Sequence, residues 1–184
     1  MAVSPQPPKP RVLVVDDNDA TRLAFEAVLE KDFTVTAAES GAQALELCRN
    51  HEFAVIVLDV RMPGLNGFET AEALRRREET RSTPIIIFTS AFEQTVGSIL
   101  RGFDAGATDF LFSPVDPDLL KLKVATYARI FLEREGMRLK IQQLQVSLDQ
   151  LHAALAQGGC TSSDVEGRFL DVERTAAELI RQVR

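Results

Sequence analysis

Across roughly the first two-thirds of the chain, short apolar runs alternate with longer stretches in which apolar residues recur every three or four positions. Arg11–Val15 (RVLVV), Phe33–Ala37 (FTVTA), Ala54–Leu58 (AVIVL), Pro84–Phe88 (PIIIF) and Thr108–Leu111 (TDFL) read as strands. Three of these runs are almost continuously apolar, which suits strands covered on both faces. Helical patterns lie between them near 19–31, 40–51, 66–79 and 93–105. Ser40 and Asn66 stand where side-chain oxygens can accept the first unpaired N–H groups of a helix. Gly102 and Gly106 are expected to weaken or end the fourth helix. Right-handed crossovers between parallel strands bring helices onto both faces of a sheet. The pattern therefore predicts an α/β fold with a five-stranded, parallel, doubly wound sheet. Ligands of such sheets sit at the carboxyl ends of the strands, near the switch in strand order.

From Asp116 the pattern changes. Apolar residues recur at Leu120, Tyr127, Ile130, Met137, Ile141, Leu144, Leu148, Leu151 and Leu155, in steps that reduce to three and four. Lys123 and Arg134 fill two of the expected seam positions. A register kept this long predicts a coiled coil. Gln157–Ser163 (QGGCTSS) breaks it, and Ser163 with Glu166 fits a capping box for a second helix. That helix carries its own seam at Val165, Phe169, Val172, Ala176, Leu179 and Val183. The two runs match in length, so they can fold as a hairpin, two of which make a four-helix bundle. A continuous parallel coil with a break is the competing arrangement. Either leaves apolar surface for a second copy, and a homodimer is expected. The expected organisation is a disordered leader (1–10), a core domain (11–118), its last helix extended into a coiled coil (119–156), a turn (157–163) and a second amphipathic helix (164–184).

At 184 residues the chain has room for one well-packed domain and an appendage. No apolar stretch approaches the length of a membrane span, and the N-terminus lacks a secretory core, so a cytoplasmic protein is expected. Cys48 and Cys160 are too few for a disulfide framework. Residues 1–118 carry 11 Lys/Arg against 19 Asp/Glu, and the remainder 10 against 8. An acidic front domain argues against nucleic-acid binding through that surface. The basic residues of the tail are spaced around a helix and interrupted by Glu133 and Glu135, as on a solvated face.

The chemistry gathers at strand ends. Asp16 and Asp17 follow the first strand, Asp59 the third and Thr89 the fourth. In a doubly wound sheet the first and third strands are neighbours, so the three carboxylates can converge. Acids that close repel unless a cation sits among them. Mg²⁺ prefers oxygen ligands and keeps several waters, so one or two carboxylates and a carbonyl suffice to hold it. The carboxylates can then offer a nucleophile for a phosphoryl group, and Thr89 can hold a phosphoryl oxygen.

These residues resemble the receiver domain of two-component response regulators. The resemblance rests on VLVVDDN (12–18), VLDVRMPGLNGFE (57–69), PIIIFTSA (84–91) and GATDFLFSP (106–114), and runs from residue 11 to about 125. It implies a flavodoxin-like receiver fold. It implies Asp59 as phospho-acceptor, Asp16 and Asp17 as Mg²⁺ ligands and the Arg61 backbone carbonyl as a further ligand. Thr89 and Phe110 become the residues that shift on phosphorylation, with Met62–Pro63–Gly64 as the loop after the acceptor. Gly64 and Gly67 are expected to serve turn geometry. A histidine kinase or phosphotransfer protein is the implied phospho-donor, and a cis peptide is implied at Ser113–Pro114.

The departure is Ser113, which stands where the family pattern places a lysine. Serine offers one hydrogen bond and no cation, while Lys121 and Lys123 lie in the following helix, poorly placed to substitute. The metal ligands are spared. Three readings follow: a phosphorylation switch signalling through a dimeric tail, a phosphorylation-independent adaptor, or the receiver and linker of a larger signalling protein. His51 and His152 carry no phosphotransfer pattern, because AALAQ after His152 departs from that of kinase dimerisation helices. No separate enzymatic output is expected.

Overall fold

The computed structural model describes residues 9–90 and 95–156, together with 167, 169, 170, 172, 174 and 176. Most of the expected leader, and all of the polar break with its Ser163–Glu166 box, lie outside the described residues. The chain divides into two units, one up to Phe131 and one from Leu132 onward. In chain order the elements are β1 (Arg11–Val15), α1 (Asp19–Leu29), β2 (Thr34–Ala38), α2 (Gly41–Asn50), β3 (Val55–Asp59), α3 (Gly67–Arg75), β4 (Ile85–Ser90), α4 (Val96–Asp104), β5 (Asp109–Ser113) and α5 (Pro117–Ala156). The strands form one parallel sheet in the order β2-β1-β3-β4-β5.

Successive side chains on a strand point to opposite faces, and here both faces are buried. Leu13, Val15, Ile56, Leu58, Ile85 and Ile87 pack with Ala44, Cys48, Phe68, Ala71 and Leu74 of α2 and α3. Val12, Val14, Val55, Val57, Ile86 and Phe88 pack on the other side with Phe25 and Leu29 of α1 and Leu120, Val124 and Ala128 of α5. This is why three strands read as continuous apolar runs rather than as alternation. Ile85, Ile86 and Ile87 are fully buried, and each contributes about 1.5–3 kcal/mol relative to exposure.

Several boundaries move. Phe33 belongs to the turn that ends α1, its N–H bonded to Leu29 O at 3.0 Å, so β2 begins one residue later than expected. α3 stops at Arg75 rather than near 79. There the Arg75 guanidinium bonds Gly106 O, Thr83 O and Thr80 O, and Thr80 Oγ1 bonds Leu74 O at 2.6 Å. These contacts tie the end of α3 to the starts of β4 and β5 and replace further helical turns. Ser40 caps α2 as expected, accepting from Gln43 N, and Asn66 forms a reciprocal capping box with Glu69.

Asp116 Oδ1 accepts from Asp118 N and Leu119 N at the start of α5. Leu120, Val124 and Ala128 are buried against the sheet, and the front unit runs to Phe131, taking in the first turns of the helix expected from 119. Leu120 therefore belongs to this core and not to a seam. Lys123, expected in the seam, instead bonds Asp109, which Tyr127 Oη also reaches at 3.0 Å. Beyond Phe131, Met137 and Leu144 are half-buried, while Ile141 and Leu148 are exposed. The side chains of Leu151 and Leu155 lie outside the described residues.

Candidate phosphoryl-accepting site

β1 and β3 are adjacent and in register, Val15 opposite Leu58, so the residues after Val15 come alongside Asp59. Asp16, Asp17 and Asp59 each place a carboxylate oxygen within 4.8 Å of the others. Asp16 is buried, and its Oδ1 accepts the Asn18 N–H at 2.7 Å. Asn18 in turn caps α1, accepting from Ala20 N at 2.9 Å. Sequence reading passed over this cap, although Asn before an amphipathic run is a helix-start signal. Arg22 adds a bond to the Asp16 backbone oxygen at 2.5 Å. The acidic loop is thus held by the helix that follows it.

Burial raises the pKa of both central acids. Asp16 is pushed up by burial, opposed by the Asn18 N–H and reinforced by Asp17. Asp59 is pushed up to about 6, first by burial and then by the Asp16 charge, while the Arg61 N–H (3.0 Å to Oδ2) pulls it down. A cluster of hard, mutually repelling oxygen donors fits a small divalent cation, which neutralises the repulsion.

The start of α3 presses on the acceptor strand. Gly64 has φ of 80° and forms a turn, as expected. Gly67 does something different: a Cβ there meets Asp59 O at 2.2 Å and Val60 Cα at 2.8 Å. Its absence allows α3 to approach β3, and the Gly67 N–H bonds Val60 O at 3.0 Å. Close approach, not turn geometry, requires this glycine.

Beside the acids lies a cleft of about 780 Å³ lined by Asp17, Arg61, Met62, Thr89, Arg101, Phe110 and Phe112 among others. Asp59 pairs with Phe88 across β3 and β4, which sets buried Thr89 one residue beyond it. Phe110 is buried, edge-on to Phe103 with centroids 5.0 Å apart and parallel to Phe112 at 6.2 Å. It lies under α4, where a Cβ on Gly102 would meet its Cζ at 2.3 Å. Gly102 therefore makes room for an aromatic ring inside an intact helix, and Gly106 (φ 96°) follows the helix end. Arg101, which the sequence did not single out, lies over the Phe68 ring at 5.0 Å. Its place in the cleft depends on how α4 is rotated, which no local pattern reveals.

Ser113 ends β5 with an exposed side chain and is not among the cleft-lining residues; its bond to Pro114 is cis. Lys121 pairs with Asp32 at 2.7 Å and Lys123 with Asp109. Asp109 opens β5 and Asp32 precedes β2, so both lysines are committed at the opposite end of the sheet from Asp59.

A parallel sheet in this order, with an acid cluster at the carboxyl ends of β1 and β3, defines a flavodoxin-like receiver. The chain belongs to the response regulator receiver domain family, which matches residues 12–125. Transcriptional regulatory protein SrrA of Staphylococcus aureus is 34% identical over 119 residues, covering 64% of this chain and 47% of SrrA. The chain thus spans about half the length of the curated relatives it matches. The structure is similar to chemotaxis response regulator CheY4 of Vibrio cholerae (TM-score 0.61, 30% identity, 65% of this chain and 98% of that one). It is also similar to the receiver domain of sensor histidine kinase PA1611 from Pseudomonas aeruginosa PAO1, described with a magnesium ion in its active-site cleft (TM-score 0.60, 27% identity, 65% and 98% coverage). Among the described residues, no helix is long and apolar enough to cross a membrane.

Proposed function

We propose that this receiver accepts a phosphoryl group on Asp59 and acts as a cytoplasmic signalling protein through contacts made by its C-terminal helices. The observation that carries the reading is the convergence of Asp16, Asp17 and Asp59 within 4.8 Å of one another. Asp16, Asp17, Asp59 and the Arg61 carbonyl are the proposed Mg²⁺ ligands. Bound there, the cation offsets the negative charge of both nucleophile and phosphoryl group. An Asp59 carboxylate oxygen attacks phosphorus, the bond from phosphorus to the donor's leaving nitrogen or oxygen breaks, and the electron pair departs with that leaving group. Thr89 donates its hydroxyl to a phosphoryl oxygen. Phe110 changes position with Thr89, and the phospho-donor is a histidine kinase or phosphotransfer protein. Phosphorylation biases two receiver states, and α5 carries the bias into a homodimeric tail seamed by Met137, Ile141, Leu144, Leu148, Leu151 and Leu155.

A second reading has one observation in its favour. Ser113 supplies no cation, and Lys121 and Lys123 are bound elsewhere, so an adaptor that works without phosphorylation fits this chain better than it fits a receiver with the lysine. Incubation with acetyl phosphate and Mg²⁺, followed by intact-mass measurement, separates the two. Phosphorylation of the wild type but not of Asp59→Asn supports the switch. An unmodified wild type that also ignores beryllofluoride refutes it.

A further inference from the structure

A phosphoryl group on Asp59 calls for more positive charge than one divalent cation brings. The Asp16 and Asp17 carboxylates and the phosphoryl group together carry roughly four negative charges, and one Mg²⁺ offsets about half of them. Ser113 stands outside the cleft, and Lys121 and Lys123 are paired with Asp32 and Asp109. Arginine nevertheless lines the cleft from two directions: Arg61 belongs to the acceptor's own loop, and Arg101 comes from α4.

The place of Arg101 is set by a series of close approaches that begins at the acceptor. Gly67 brings the start of α3 against Asp59 O, and the next residue, Phe68, is buried with its side chain in the cleft wall. Gly102 does the same for α4: a Cβ there would meet Phe110 Cζ at 2.3 Å and Phe68 Cε1 at 3.2 Å. With α4 lying against both rings, the Arg101 guanidinium comes to rest over Phe68, 5.0 Å from the ring centroid. An aromatic face attracts a cation but offers no acceptor oxygen, so the guanidinium's donors remain for an anion. Other arginines of the front unit are spent differently. Arg22 bonds Asp19 and the Asp16 backbone oxygen, and Arg75 bonds backbone carbonyls. Thr89 lines the same cleft as Arg101.

We propose that Arg101 is the cation that meets the phosphoryl group on Asp59, approaching from α4 where the family's lysine would approach from β5. The proposal rests on the reading of Asp59 as phospho-acceptor, and it names the residue that makes up part of the charge missing at Ser113. A guanidinium forks to two oxygens of a phosphoryl group, a geometry an ammonium group cannot match. Phe68 and Gly102 act through Arg101 as positioning residues: one holds the guanidinium, the other lets α4 come near enough for it to be held. Arg101 leaves the β5 side of the phosphoryl group uncovered, so the effect of Ser113→Lys adds to it.

The test is calorimetric titration of the full chain with beryllofluoride in saturating Mg²⁺ at fixed ionic strength, with urea midpoints to verify that each variant is folded. Arg101→Gln should bind about tenfold more weakly than wild type, and Arg101→Lys, which keeps the charge, within about threefold of it. Arg76→Gln removes an exposed arginine that pairs with Glu72 outside the cleft, and it should bind as wild type does. A loss there equal to that of Arg101→Gln reduces the effect to net charge and overturns the contact. Mg²⁺ titrated alone should bind Arg101→Gln no more weakly than wild type; a weaker metal site overturns the proposal by placing the damage at the acids. Equal losses in Arg101→Gln and Arg101→Lys assign the effect to packing on Phe68 and refute a role for the charge. If wild type and Arg101→Gln bind the mimic equally, Arg101 has no part while Asp59 stands as acceptor. A wild type that takes up no beryllofluoride refutes the acceptor and Arg101 together.

Discussion

Replacing Gly67 with alanine tests whether the acceptor aspartate is held in place by the approach of α3 to β3. The added Cβ lies 2.2 Å from Asp59 O, 2.8 Å from Val60 Cα and 2.9 Å from Asp59 C. All three are backbone atoms and none can rotate away, so the helix start or the strand end must yield by about 1 Å to reach ordinary contact near 3.4 Å. Overpacking of this kind costs about 1–3 kcal/mol. Breaking the Gly67 N–H bond to Val60 O adds about 1 kcal/mol. Alanine recovers up to about 1 kcal/mol of backbone entropy. The expected net loss is about 1–3 kcal/mol, read as a lower urea midpoint with an unchanged slope. The atom displaced is the carbonyl oxygen of Asp59, so beryllofluoride affinity in the presence of Mg²⁺ should fall at least about tenfold, because small misplacements at a reacting centre carry large penalties. A Gly67→Ala protein with wild-type midpoint and wild-type affinity for the mimic refutes this account.

Asp59→Asn should stabilise the metal-free protein at neutral pH. The folded carboxyl holds its proton up to about 6, against roughly 4 in the unfolded chain. The folded state therefore binds more protons between those values, and stability falls as pH rises through that window. Allowing for partial exposure, asparagine should gain about 1–2 kcal/mol at pH 7 and nothing near pH 4; a gain that persists in acid points to another cause. Arg75→Ala leaves Gly106 O, Thr83 O and Thr80 O short of a charged donor. It should cost about 3 kcal/mol in chemical unfolding, and Arg75→Lys should rescue little because lysine cannot fork to three carbonyls. An alanine variant of wild-type stability rules out this role. Ser113→Lys should tighten beryllofluoride binding about tenfold by restoring a cation, with Mg²⁺ affinity unchanged; equal affinities in calorimetry refute a charge deficit at that position.

The strands and the placing of Asp16, Asp17 and Asp59 at their ends were legible because each depends on a local signal. Continuous apolar runs mark strands covered on both faces, and acids placed directly after them inherit the strand ends. The caps at Ser40 and Asn66 were legible for the same reason, since a capping side chain bonds its own neighbours. Arg75 was not legible. Its partners lie up to 33 residues away, and an arginine at a helix end reads as a solvated charge until the chain has folded around it. Lys123 misled in the opposite direction: heptad spacing placed it in a seam, but its ammonium group bonds Asp109.

By itself, the sequence determined the parallel sheet, the acid cluster and the missing lysine, because residue type and spacing fix which groups arrive at which strand end. Tertiary structure alone decided what the glycines are for and where the front unit ends. Gly67 and Gly102 are required by atoms of Asp59 and Phe110 that come near only when helices dock on the sheet. The heptad register runs through residue 131 without a break, yet the burial of Leu120, Val124 and Ala128 assigns the first turns of α5 to the receiver. A seven-residue period shows that a helix has an apolar face. What covers that face is a property of the surfaces it meets.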